Sequence, residues 1–224
     1  MVPTLVILAT FLAGLGLDAQ SDLFSQALIG VAVWGVLAWV IRHADGELRR
    51  TILACLVLAT AGEMFLSLVL NLYTYRLGNI PLFIPPGHAL LLLLGISLSK
   101  KMSEGQATLI IVAAGVYSLC AAISGIDTLG LFLFALLGVT AFLLPAQRRL
   151  YASTFLLALG LELYGTALGS WSWSREPLGL VTTNPPLAAG AFYAALDALT
   201  VAVTRFTAAR PALVAALRAV PAEE

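Results

Sequence analysis

Charge is what this chain has least of. Asp, Glu, Lys and Arg make up 11% of its 224 residues, against about 25% in a soluble domain. Hydrophobic residues are 60% and mean hydropathy is +0.97. That composition excludes a soluble domain of useful size and defines an integral membrane protein. Formal net charge is zero, so no basic surface offers itself to nucleic acid. The two cysteines, Cys55 and Cys120, each lie inside an apolar run. They read as packing residues, which excludes a disulfide framework or a zinc site. Two histidines, His43 and His88, are too few for a histidine-rich metal cluster. No metal and no cofactor is expected. The G-x-S-x-G, H-E-x-x-H, P-loop and dinucleotide motifs are all missing, which removes the common soluble-enzyme chemistries.

What is present is a series of long apolar runs. They predict an all-α transmembrane bundle of eight spans, at about 2–17, 23–41, 51–75, 82–99, 106–123, 128–146, 150–170 and 186–204. The apolar stretch Val2–Leu17 has no basic flank and no small-residue cleavage site, so it reads as a span and not as a cleaved signal. With eight spans, Arg42, Arg49, Arg50, Lys100, Lys101, Arg148, Arg149, Arg205, Arg210 and Arg218 fall on one side, and only Arg76 and Arg175 on the other. This asymmetry places both termini in the cytoplasm of a bacterial inner (plasma) membrane. Residues 1–205 form a single transmembrane domain. Residues 206–224 form a cytoplasmic tail, frayed or lying on the membrane surface.

Two segments carry the same polar frame. Arg49, Arg50, Glu63, Ser67, Asn71 and Arg76 recur 99 positions later as Arg148, Arg149, Glu162, Thr166, Ser170 and Arg175. Tyr73 and Tyr75 answer to Trp171 and Trp173, and Pro85-Pro86 to Pro185-Pro186. The pattern predicts a parallel 4+4 repeat, with halves at about 1–100 and 101–205. Glu63 lies 13 residues from both Arg50 and Arg76, roughly 20 Å from each at 1.5 Å per residue, and therefore near mid-membrane. Glu162 has the same spacing, and Asp197 falls about 17 Å into the last span.

Glu63, Ser67 and Asn71 sit at i, i+4 and i+8, and form one stripe running toward the outer surface. Glu162, Thr166 and Ser170 repeat it, and Tyr193, Asp197, Thr200 and Thr204 make a third polar face. Such faces are unfavourable against lipid. They predict that spans 3, 4, 7 and 8 surround a polar cleft opening outward, with His88 at its mouth. Every lysine and arginine lies at or beyond a span end, so no base is expected at mid-depth. At least one of the three acids is then expected to be neutral and able to donate a proton. Thr182-Thr183-Asn184 is expected to cap the last helix.

The candidate catalytic residues are Glu63, Glu162, Asp197 and His88. Candidate substrate-binding residues are Asn71, Tyr73, Tyr75, Arg76, Trp171, Trp173, Arg175, Asn184 and Tyr193. Plainer roles compete. The glutamates can simply bond helix to helix, His88 can be a solvated residue of a helix start, and the aromatic pairs and two arginines can anchor the interface.

The stretch Glu63…Leu72-Tyr73-Thr74-Tyr75-Arg76-Leu77-Gly78…Pro81…Pro85-Pro86 resembles part of the carotenoid-biosynthesis membrane proteins. These include the cofactor-independent carotenoid hydratases, and the small lycopene cyclases look similar in style. The elements carried over are Glu63, Tyr73, Tyr75, Gly78 and Pro85, with a fainter echo at Trp171–Asp197. The Pro-x-Glu-Glu of the cyclases is missing, and Pro86-Gly87-His88 replaces a more aromatic stretch. The Asn-Pro-Pro before the final span also looks like uncharacterised bacterial membrane proteins. The resemblance implies an isoprenoid or other lipid substrate; the residues themselves imply only acid–base chemistry in an apolar site. The expectation is hydration, cyclisation or isomerisation of an alkene by a lyase or isomerase. A small proton-coupled transporter or lipid carrier, and a non-enzymatic scaffold, are the alternatives. Lipid is the expected partner, and the oligomeric state is left open.

Overall fold

The computed structural model describes residues 4–218, with side chains up to residue 208. The first residues of the expected first span and the last of the expected tail lie outside that range. So do the side chains of Arg210 and Arg218. Among the described residues there are eight α-helices: α1 Thr4–Asp18, α2 Leu23–His43, α3 Gly46–Glu63, α4 Ile84–Ser99, α5 Glu104–Ile123, α6 Thr128–Leu143, α7 Arg148–Ala167 and α8 Gly190–Arg218. Two three-residue strands, β1 Tyr73–Tyr75 and β2 Trp171–Trp173, follow α3 and α7. The boundary expected at 205/206 falls inside α8.

Among the described residues, four helical stretches are long and apolar enough to cross a membrane: Leu23–His43, Gly46–Val69, Glu104–Ile123 and Pro145–Ala167. Helices α1, α4 and α6 are apolar but shorter. The helices start where short polar side chains can cap them. Asp22, Asp45 and Asp127 each accept a backbone N–H three residues on, and Ser103 with Gln106 closes a capping box at α5.

Helices α3, α4, α7 and α8 form a ring, each packed on two neighbours. Two glycines let that ring close. A Cβ at Gly95 of α4 would collide with Thr154 Oγ1 of α7, and one at Gly190 of α8 would lie 2.7 Å from the Phe155 carbonyl oxygen. Helices α1 and α2 pack on α4, while α5 packs on α7 and α6 on α8.

The end of α3 departs from expectation. The helix continues as a π-helical segment, Met64–Val69, in which Leu70 N–H bonds back to the Phe65 carbonyl. The chain then reverses at Asn71, whose φ is 49°. After α7 it reverses at Gly169, φ 72°, with Ser170 N–H on the Gly165 carbonyl and Gly169 N–H on that of Thr166. That is a Schellman closure. Each reversal lays its strand back across the ring. The strands pair antiparallel, Tyr73 with Trp173, Thr74 with Ser172 and Tyr75 with Trp171.

The depth estimate changes accordingly. Arg76 does not mark a helix end, because α3 and its π turn stop at Val69. Glu63 is six residues from that end, about 9 Å, and not 20 Å from it. Glu162 is five residues from the end of α7, about 8 Å.

Candidate functional site

Side chains alternate across a strand. Tyr73, Tyr75, Trp171 and Trp173 therefore all turn inward, at 5–8% exposure, while Thr74 and Ser172 stay exposed. The inward four converge on the two glutamates. Glu63 Oε2 accepts from Tyr73 (2.9 Å) and Tyr75 (2.6 Å), and Glu63 Oε1 lies 2.7 Å from His88 Nε2. Glu162 Oε2 accepts from the indoles of Trp171 (2.8 Å) and Trp173 (3.0 Å), and its Oε1 from Tyr193 (3.1 Å). Each carboxyl thus has three partners: two from the strand after its own helix and one from the helix beyond. The cages touch where the rings of His88 and Tyr193 meet, centroids 4.9 Å apart.

Both cages border one cavity of about 260 Å³. Its lining is mostly apolar, with contributions from α1, α2, α3, α4, α7 and α8. The four strand aromatics roof it. This overturns three expectations. The cleft is apolar where a polar one was expected, and paired strands close the end at which it was to open. The aromatic pairs are buried ligands of carboxyls and not interfacial anchors. A base does stand beside a buried acid: α4 begins inside the fold, at Ile84, so His88 reaches Glu63. His88 Nδ1 is buried with no partner among the described residues.

The remaining candidates separate. Asp197 is 2% exposed but does not line the cavity; its Oδ2 accepts from Thr154 Oγ1 at 2.6 Å. The expected stripes break up. The π turn carries Asn71 out of the helix, where its side chain is exposed and its carbonyl accepts from Ser174 Oγ. Ser67 Oγ bonds the Tyr73 carbonyl, and Thr166 Oγ1 folds back on the Glu162 carbonyl. Arg76 donates to the Asp18 and Ser21 carbonyls and to Ser21 Oγ, tying β1 to the α1–α2 turn. Arg175, its sequence counterpart, is exposed. Asn184 does not cap α8, which starts at Gly190; its Oδ1 accepts the Trp173 backbone N–H. Thr182 Oγ1 bonds Asp127.

Sequence reasoning missed Asp18 and Asp127, both 0% exposed. Asp18 Oδ1 accepts from Gln26 (2.8 Å) and Ser21 (3.2 Å), with Arg76 at 3.9 Å. Asp127 Oδ1 accepts from Gly130 N–H (2.8 Å) and Thr182 (2.9 Å). Each sits in the turn between two helices and holds the loop that follows a strand. Their signal was an acid in a short turn between apolar runs, Asp18 beside Asp22 in one and Asp127 alone in the other. Gly165 was also missed: the Trp171 ring occupies the space a Cβ there would fill.

Fold and site together describe an α-helical protein with four described helical stretches long and apolar enough to cross a membrane, and two caged carboxyls inside. No family model matches the chain, and no curated protein or solved structure matches it either.

Proposed function

We propose that this protein is an intramembrane acid–base enzyme acting on an unsaturated isoprenoid or similar lipid. One observation carries the reading: two carboxyls, one bonded to an imidazole, face the same mostly apolar cavity. Glu63 in its acid form transfers its proton to one carbon of an alkene, whose π pair becomes the new C–H bond. The donors from Tyr73, Tyr75 and His88 take up the charge that develops on Glu63, already oriented for it. The cation left on the neighbouring carbon faces aromatic rings and Glu162 as carboxylate. Addition of water and loss of its proton then give an alcohol, and loss of a proton from an adjacent carbon gives an isomer. Where a second alkene of the same chain first donates its π pair to the cation, that C–C bond closes a ring and the proton is lost beside the new cation. Either way the released proton goes to Glu162. Tyr193 and His88 lie between the two carboxyls and give it a way back to Glu63. The resemblance to carotenoid hydratases points to the same substrate class.

The setting we propose is eight spans in a bacterial plasma membrane with both termini cytoplasmic, supported by the ten-to-two split of basic residues. We also propose the 4+4 repeat. Its support is the equivalence of the cages, of Asp18 with Asp127, and of the strands. Glu63 precedes Tyr73 by ten residues and Glu162 precedes Trp171 by nine. A π-helical turn is what a one-residue insertion produces in an α-helix, and it lies in the half with the extra residue.

The test is expression in polyene-producing cells, with lipid profiling of the chain and of Glu63→Gln and Glu162→Gln. A new product that both substitutions abolish is expected. No product dependent on these carboxyls would sink the reading. Proton flux coupled to a solute in vesicles would put the transporter in its place, and glutamine variants that lose only stability would favour the scaffold.

A further inference from the structure

The cavity is shut on one side and open on another. Toward the strands, its four aromatic walls are almost wholly buried. Along α3 and α8 it reaches the outer surface, because Phe65 and Leu199 line it and are still 53% and 55% exposed. Next to Phe65, the outward residues Met64, Leu68 and Val69 are all apolar and more than half exposed. This rim belongs to Gly46–Val69, one of the stretches long enough to cross a membrane. Gly62 also lines the cavity, and a Cβ built there meets nothing within 4 Å. A gap remains at the rim that no side chain fills.

We propose that this opening, bounded by Gly62, Phe65 and Leu199, is a lateral portal through which a hydrocarbon chain of a bilayer lipid enters the cavity. The chemistry of the walls selects the chain over the headgroup. Among the described residues no lysine or arginine lines the cavity, the His88 imidazole is taken up by Glu63, and two carboxyls would oppose an anionic phosphate. The walls reward apolar area removed from the surroundings. The proposal rests on the bilayer setting given above, but not on the acid–base chemistry.

The protein has four tryptophans, and two of them, Trp171 and Trp173, line the cavity. With Trp34→Phe and Trp39→Phe, only those two report. Reconstituted into vesicles of phosphatidylcholine brominated mid-chain, their fluorescence is expected to be quenched relative to unbrominated vesicles. Gly62→Phe is expected to abolish most of that quenching. Gly35→Phe, also with open space at its Cβ but away from the cavity, should leave it unchanged. Trp34 donates its indole N–H to the Leu82 carbonyl. If its loss prevents folding, the difference between the full chain and its Gly62→Phe form isolates the same signal. Absence of quenching, or quenching insensitive to Gly62→Phe, overturns the portal. Quenching as expected with no lipid product would sink the chemistry and leave the portal standing.

Discussion

Glu63 and Glu162 hang in cages of one design, yet the donors differ in kind. Glu162 Oε2 is held by two indoles, which can only donate. A proton on that oxygen would have nothing to bond to. Glu63 is held by two phenols and an imidazole, groups that also accept and, in the imidazole's case, exchange protons near neutrality. The first cage has partners able to exchange a proton at both carboxyl oxygens, and the second has one only at Oε1, where Tyr193 sits. The two cages share the geometry of three partners and differ in how many carboxyl oxygens can exchange a proton.

The strongest break of this comparison is chemical. His88→Gln keeps a polar contact to Glu63 but removes the titratable ring. General acid–base catalysis contributes roughly 100-fold or more, so product formation should fall by about that factor while thermal stability changes little. An equal loss of both would make His88 only a strut.

Gly165→Ala sharpens the second cage. Its methyl would occupy the space of the Trp171 ring, and overpacking of this kind costs about 1–3 kcal/mol, read as a lower unfolding temperature. Next come Tyr75→Phe and Trp173→Phe. Each removes one hydrogen bond to a carboxyl, worth roughly 1.5–3 kcal/mol if that carboxyl is charged. Both should destabilise to a similar degree, but Tyr75→Phe should also depress activity more, because its hydroxyl serves the acid. The smallest difference concerns the matched arginines. Arg76→Ala should cost roughly 1–3 kcal/mol, since it leaves the Asp18 turn without its donor. Arg175→Ala should stay within about 0.5 kcal/mol, as exposed substitutions do.

That last pair shows where the sequence could be read and where it could not. Helix number, the burial of Glu63 and Glu162 and the grouping of helices 3, 4, 7 and 8 followed from apolar runs and from polar residues that lipid would not tolerate. The repeat frame pointed to Arg76 and Arg175 alike, but a frame gives position and not partners. Arg76 finds its partners in the α1–α2 turn, and the Arg175 side chain has none among the described residues. The strands were legible in principle: Tyr-Thr-Tyr and Trp-Ser-Trp alternate at period two. Extending the third span to 75 hid β1, and β2 fell just past the end of the seventh. Once β1 folds back, its aromatics point in, Glu63 sits near the helix end, and the i+8 partner Asn71 leaves the stripe. A π turn has no simple sequence mark, so the reversal after α3 could not be placed from spacing.

The most direct test follows the proton. Purified protein in vesicles is given an acyclic polyene in deuterated water, and the lipid is analysed by mass spectrometry. The account predicts a product carrying a carbon-bound deuteron from solvent, formed by the wild-type chain and lost in both Glu63→Gln and His88→Gln. Deuterium incorporation that persists in those two variants, or a polyene recovered unlabelled from the wild type, would contradict it.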